Sequence, residues 1–293
     1  MSVLLIRFFA LLLSWPPLKI NHAIGAGIGK LFWITNSSQR KITEENLRLC
    51  FPEMSASERQ TLARNSLIET GKQITECAWI WHRPIEQIKN RIIDIPGEHH
   101  LNAAIESGKG VIVISPHIGN WELCSLPLSR SSPMTYLYRS PRKTGMDRVL
   151  VHWRAHLGGE PAPLNSAGIK GALKVLKSGR TLGILPDQEP DLDKGVFAPF
   201  FSQPALTMTL LPRLANRSGS IVLFCVAERL PDAQGWRFHV IPADSAISGA
   251  NIEDATAAVN KGVERCIELC PEQYLWDYKR FNTHEDGTRR RYK

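Results

Sequence analysis

A histidine and a glutamate stand where a buried strand should end. Val111 to Ile114 is a continuous β-branched run, and Ser115-Pro116-His117-Ile118-Gly119-Asn120-Trp121-Glu122 follows it. Such a run suits a strand covered on both faces of a parallel sheet. Open α/β sheets bind ligands beyond the carboxyl ends of their strands, so His117 is expected in a loop at the functional edge. A neutral imidazole there can take a proton from an attacking hydroxyl. A carboxylate can fix its tautomer and stabilise the imidazolium that develops. Residues five apart on a regular helix point about 140° apart. His117 and Glu122 therefore meet only if His117 precedes the helix and Glu122 lies in its first turn. Pro116 and Gly119 permit that bend. Asn120 is placed to cap the helix, and the free N–H groups of the helix start are candidates for holding an oxyanion. No Ser or Cys sits in a nucleophile-elbow context, so the attacking hydroxyl need not come from the protein.

The elements that must carry this loop follow from the pattern after Pro96-Gly97. Strands are expected at 111–114, 134–138, 181–185, 220–227 and 236–241. Helices are expected between them at about 99–107, 121–129, 145–157, 168–178 and 205–217, with a last one at 252–269. Alternation of this kind indicates an α/β fold, a mostly parallel central sheet flanked by helices. Residues 40–90 read as helical up to Pro84, with helix starts at Thr43-Glu44-Glu45-Asn46 and at Ser55-Ala56-Ser57-Glu58. The second of these has capping-box spacing. No linker divides residues 91–293, so the expected organisation is an N-terminal segment 1–35, a helical region 36–90 and one catalytic domain 91–293.

With 293 residues, 43% of them hydrophobic and 22% charged, the chain is neither disordered nor short of core material. A mean hydropathy of −0.17 excludes a polytopic membrane protein. Lys plus Arg is 36 and Asp plus Glu is 28, a net +8 that suits phosphates on nucleic acid, anionic lipid or an acidic carrier protein. No helix-turn-helix, zinc-finger or aromatic RNA-binding signature supports the first of these. The six cysteines are scattered, without a CxxC or a nearby His cluster, so neither a disulfide scaffold nor a metal site is expected. Cys266 and Cys270, at i,i+4, read as small buried side chains. No cofactor is expected.

The N-terminus is different in kind. From Val3 to Trp15 the only charge is Arg7; Pro16-Pro17 follows, and Leu18 to Ile34 carries only Lys19 and Lys30. The first stretch is short for a straight span, which needs about 20 apolar residues. A cleaved signal peptide fits poorly, because Arg7 is misplaced and no clear cleavage site follows. A membrane anchor, spanning or lying in the interface, is preferred to a soluble core helix. Gly25-x-x-x-Gly29 can let two helices approach closely.

The run His117-Ile-Gly-Asn-Trp-Glu122 resembles the H-x4-D/E motif of glycerolipid-type acyltransferases, and more closely that of the late acyltransferases of lipid A biosynthesis. The similarity continues in order. Its further blocks are Tyr138-Arg139, Pro186-Asp187-Gln188, Val196 to Phe201 with Ala205-x-Thr207, and Pro271 to Trp276 with Arg280-Phe281. Glu189-Pro190 and Lys279 depart from the family pattern. The resemblance implies transfer of a fatty acyl chain from acyl carrier protein to a lipid A precursor at the cytoplasmic face of the inner membrane. It implies His117 as general base with Glu122 in a dyad, and Asn120, Trp121, Arg139, Arg154 and Asp187 around the substrate. Asp187 would orient Arg or His groups. A basic stretch of Arg139, Arg142, Lys143, Arg148, Arg154, Lys170 and Lys174 suits the acceptor's phosphates and an acidic carrier. Val196 to Phe201 is either core or a wall for the acyl chain. The same motif would serve a sister enzyme acting on another lipid, or a hydrolase in which His117 activates water.

Overall fold

The structure, a computed structural model, describes residues 3–128, 133–138 and 145–292. Arg139, Arg142 and Lys143 lie outside the described residues. Among the described residues, nine strands run in chain order as β1 (Ile92–Asp94), β2 (Val111–Ile114), β3 (Met134–Tyr138), β4 (Gly159–Pro163), β5 (Thr181–Ile184), β6 (Gly195–Phe200), β7 (Gln203–Met208), β8 (Ile221–Arg229) and β9 (Trp236–Pro242). The α-helices are α1 (Val3–Ser14), α2 (Leu18–Ile34), α3 (Ser38–Cys50), α4 (Ala56–Ile80), α5 (Ile85–Lys89), α6 (Glu98–Glu106), α7 (Ser125–Leu128), α8 (Met146–His156), α9 (Ser166–Lys177), α10 (Leu210–Ser218) and α11 (Ile252–Ile267).

Seven strands form one sheet in the order β1-β9-β8-β2-β5-β3-β4. All neighbours are parallel except β8 and β9. The expected α/β architecture is therefore present, and its reason is visible in β2. Ile112 and Ile114 join the core on one face, with Leu176, Phe224 and Val263. Val111 and Val113 join the core on the other, with Leu101, Leu223 and Phe238. A strand buried on both sides cannot alternate polar with apolar residues.

Several elements depart from expectation. β4 carries Pro161 and Pro163, and survives because it is an edge strand paired only with β3. The helix expected over 205–217 begins only at Leu210, because residues 203–208 pair antiparallel with β6. The apolar run Val196 to Phe201 is thus one arm of a hairpin. Ala198 and Phe200 are buried, and α11 anchors the arm when Asn260 Nδ2 donates to the Pro199 carbonyl at 3.0 Å. The helix start expected at Thr43 is corrected too: α3 begins at Ser38, capped by Ser37. The capping box of Ser55 and Glu58 forms as its spacing requires. Cys266 and Cys270 are buried.

The N-terminal helices pack inside out. α2 turns Asn21, His22, Gly25 and Gly29 onto α4 and leaves Ile20, Ile24, Leu31 and Ile34 exposed. Asn21 Nδ2 donates to the Thr75 carbonyl at 3.0 Å, and Thr75 Oγ1 returns a bond to the Asn21 carbonyl at 3.1 Å. The glycines are what allow this approach. A Cβ at Gly25 would stand 2.6 Å from the Gly71 carbonyl oxygen, and one at Gly71 would fall on the Gly25 carbonyl. Among the described residues no helix is long and apolar enough to cross a membrane. Pro16 and Pro17 separate α1 from α2, so the two do not make one continuous span.

Gly71→Ala should destabilise the protein by about 1–3 kcal/mol, because backbone cannot yield as a side-chain tip does. Gly27, whose Cβ would meet nothing within 4 Å, should accept Ala without loss or with a gain of up to about 1 kcal/mol from helix propensity. Urea midpoints measure both; equal destabilisation would show that the α2–α4 approach is not the constraint.

Candidate active site

The site is built by register. Ile114 of β2 pairs with Ile184 of β5, and with Phe224 of β8 on the other side. Both β2 and β5 then leave the sheet through a proline at the second residue, Pro116 and Pro186. The third residue on each path is His117 and Asp187, so the two arrive side by side. His117 Nδ1 lies 2.8 Å from Asp187 Oδ1, and the His117 backbone N–H donates to Asp187 Oδ2 at 2.9 Å. One carboxylate thus holds both the ring and the chain that carries it. Gln188 Nε2 lies 3.2 Å from His117 Nε2. With Asp187 ionised, Nδ1 carries the proton and Nε2 keeps its lone pair toward the Gln188 amide. Burial pushes the Asp187 carboxyl up, but the positive charge the His117 ring gains on protonation and the two hydrogen bonds from that residue outweigh it and hold the group below its ordinary value.

The expected dyad of His117 with Glu122 is corrected. Glu122 is forked by Arg154, with Nε at 2.8 Å and Nη2 at 2.5 Å from its two oxygens. The acid on the ring is Asp187. The physical reason is the register: pairing of β2 with β5 delivers Asp187 to the ring, while Arg154 of α8 takes Glu122, which lies in a 3-10 turn at Trp121–Cys124 rather than in the helix expected there. Asn120 is corrected as well. It makes no cap and is fully buried, with Nδ2 donating to Glu76 Oε2 at 2.7 Å. Two backbone donors ahead of that turn are already in use. Gly119 N–H goes to the Gln273 carbonyl at 3.1 Å and Asn120 N–H to the Ala227 carbonyl at 2.8 Å.

The other expected residues divide. Trp121 stands edge-to-face with His117, ring centres 4.9 Å apart. Arg154 spends two of its nitrogens on Glu122, which leaves less of its fork for a phosphate. Arg148, Lys170 and Lys174 are exposed. Glu189 turns away from the site: its carboxylate accepts from the Thr283 N–H at 2.8 Å and from Asn282 Nδ2 at 3.2 Å. The C-terminal block acts as a strap. Leu275 N–H donates to the His117 carbonyl at 3.0 Å, and Ile118 bridges to Tyr274. Gly119 has φ +57°, and a Cβ there would strike the Ala227 carbonyl, so only glycine lets the loop lie against β8.

Beneath the loop lies a buried charge network that the motif reading did not find. Arg229, at the end of β8, meets Glu76 through Nη2 at 2.6 Å, Glu69 through Nη1 at 2.9 Å and Gln73 through Nη2 at 2.8 Å. His22 Nε2 is 2.7 Å from Glu76 Oε1. Gln73 and Glu76 lie near Glu69 on one stripe of α4, and a polar stripe on a helix that must bury itself was the available signal. Burial pushes the Glu76 carboxyl up, yet Arg229 and His22 bring it down to about 2 from 4.5.

A depressed carboxylate stabilises above its unfolded pKa and loses that contribution as pH falls through its folded one. Glu76 should therefore contribute stability that is complete above about pH 4.5 and gone near pH 2, worth about 3 kcal/mol. Glu76→Gln should cost about that much at pH 7, and the gap to the natural protein should close as pH drops through this window. Denaturant unfolding at a series of pH values tests it; a gap independent of pH would place the stabilisation elsewhere.

Comparison with known proteins gives the family. The lauroyltransferase of lipid A biosynthesis from Escherichia coli (strain K12) is 30% identical over 280 residues, covering 94% of this chain and 90% of the relative. The palmitoleoyltransferase of the same organism is 28% identical over 272 residues, covering 92% and 88%. Its myristoyltransferase is 25% identical over 286 residues, covering 96% and 87%. The family described as bacterial lipid A biosynthesis acyltransferase is matched over residues 2–283. That span contains the His117 loop, the Asp187 turn and the C-terminal strap, and the chain belongs to the bacterial lipid A biosynthesis acyltransferases.

Proposed function

We propose that the protein transfers a fatty acyl chain from acyl carrier protein to a hydroxyl of a lipid A precursor, with His117 as general base. The observation that carries the base is the 2.8 Å contact between His117 Nδ1 and Asp187, which leaves Nε2 as the proton acceptor. The acceptor hydroxyl gives its proton to Nε2 as its oxygen attacks the thioester carbonyl. The tetrahedral intermediate then expels the thiolate, which takes the proton back from the imidazolium, leaving an ester and the free carrier thiol. Asp187 holds the tautomer and stabilises the imidazolium. Gln188, with Nε2 3.2 Å from His117 Nε2, sets a side-chain amide beside the proposed proton acceptor. Glu122 and Arg154 enter as a charged pair one residue beyond Trp121. The net charge of +8 favours both an acidic carrier and a phosphorylated acceptor.

The reaction is proposed to occur at the cytoplasmic face of the inner membrane, with α1 and α2 lying in the interface rather than crossing it. The support is the inside-out packing. Leu4, Phe8, Phe9, Trp15, Leu31 and Ile34 are each at least half exposed, while Asn21 and His22 of α2 are buried. An apolar surface of this extent marks a membrane or protein contact.

His117→Ala should lower turnover by about 10²- to 10⁴-fold. Asp187→Asn keeps the shape but loses the charge and should lower kcat strongly with little change in donor KM. Glu122→Gln and Arg154→Gln, acting on one pair, should be non-additive, the double variant no slower than the worse single one. Transfer from acyl carrier protein to a purified precursor measures all of these; near-normal turnover of His117→Ala would end the reading. Leu4→Ser with Phe8→Ser should shift the protein out of the membrane fraction, and retention that survives high salt would place the contact elsewhere.

A further inference from the structure

The face that carries α1 and α2 also holds a cleft of about 620 Å³ that the proposed chemistry does not use. Trp15, Trp79, Arg83, Asn90, Arg91 and Gln234 are among its walls, and no Asp or Glu is. Its position follows from strand direction. β9 runs antiparallel to β8, and β1 runs parallel to β9. Arg91, just before β1, and Gln234, just before β9, therefore lie at the sheet edge where β2 and β8 end. This is the edge of the His117 loop.

The cleft is cationic and preorganised. The guanidinium carbons of Arg83 and Arg91 stand 5.1 Å and 5.7 Å from the centre of the Trp79 ring. Backbone carbonyls pin both groups: Arg83 Nη2 donates to Trp15 O at 2.7 Å, and Arg91 Nη1 donates to Ala233 O at 3.1 Å. Neither arginine is paired with a carboxylate among the described residues. Arg83 Nε is buried and has no hydrogen-bond partner among them. Two guanidinium groups lining one cleft beside the same Trp79 ring, with amide neighbours and no carboxylate partner among the described residues, match the tetrahedral oxygens of a phosphate. Trp15, 76% exposed at the rim, has the amphipathic ring that settles at headgroup depth.

We propose that this cleft binds the phosphate of an anionic bilayer phospholipid, seating the enzyme on the membrane at a fixed depth beside its reactive edge. The proposal rests on the membrane-facing reading of α1 and α2. A bilayer lipid is favoured over the acceptor because the cleft opens at the exposed α1–α2 junction, among the apolar residues that would enter the interface. Pinning the junction through Arg83 also fixes the angle at which α1 meets the lipid.

The test uses the full chain with two probes: monomeric dihexanoyl-phosphatidylglycerol, and vesicles of phosphatidylcholine with and without phosphatidylglycerol. Arg83→Gln with Arg91→Gln should weaken binding of the monomeric lipid by about tenfold or more, the scale of one lost charge-assisted contact. Arg83 also holds the junction, so Gln234→Glu serves as a second variant. It places a carboxylate at the exposed rim, leaves both arginines in place, and should weaken binding likewise. Arg213→Gln, a distant exposed site on α10 with the same change in charge, should leave it unaltered. Equal binding by the natural protein, the double arginine variant and Gln234→Glu overturns the site. Displacement of the lipid by the acceptor near its KM also overturns it, and assigns the cleft to the acceptor's own phosphate. Leu4→Ser with Phe8→Ser should abolish vesicle binding and spare the monomeric lipid. Vesicle binding that persists in that variant defeats the membrane-facing reading alone, and the monomeric lipid still decides the cleft.

Discussion

Ile114 and Ile184 face each other in adjacent parallel strands, and three residues beyond each stand His117 and Asp187. Much else in the molecule serves that register. β2 and β5 are buried throughout, so a slip of one residue would turn apolar side chains to the wrong face. β8 flanks β2 in the same register and receives the loop through the bridge of Gly119 to Ala227. The C-terminal strap closes the loop from its other side. The His117–Asp187 pair is thus held by backbone geometry, and Asp187 completes the grip by bonding both ring and chain.

Below this pair, the fold spends buried charge where apolar packing would have been simpler. Arg229 and Glu76 are both fully enclosed, a costly arrangement unless every donor is matched. Here it is matched by Glu69, Gln73, His22 and Asn120. Shape-filling residues could replace the charges, but they could not reach from α2 through α4 to Asn120 with directional bonds. The network ties the N-terminal helices to the loop that bears His117. The surface proposed to meet the membrane and the residue proposed to take the proton share one scaffold.

The position of the N-terminal helices then has a simple logic. α2 presents Asn21, His22, Gly25 and Gly29 to α4 and turns Ile20, Ile24, Leu31 and Ile34 outward. In water alone that is unfavourable by tens of calories per square ångström of exposed apolar surface. Against lipid the sign reverses, and the cleft at the α1–α2 junction is proposed to add attraction for phosphate. The proposed acceptor and acyl donor would meet at such a surface, on the side of the sheet edge that carries the His117 loop.

Much of this was legible in the residue order. The β-branched run at 111–114 announced a strand buried on both faces, and it placed His117 beyond the sheet. The capping box at Ser55 and the close-packing glycines at 25 and 29 were readable because each depends on neighbours along one helix. The family was readable because its blocks recur in order. What the order could not decide was which acid meets His117. Glu122 is near in sequence, Asp187 distant, and local spacing favours the nearer one. Only the pairing of β2 with β5 brings Asp187 to Nδ1, while Arg154, 32 residues on, takes Glu122 away. The Glu76–Arg229 network was hidden for the same reason, its partners lying 153 residues apart. Contacts made across strands and helices depend on register and packing, and those exist only once the chain has folded.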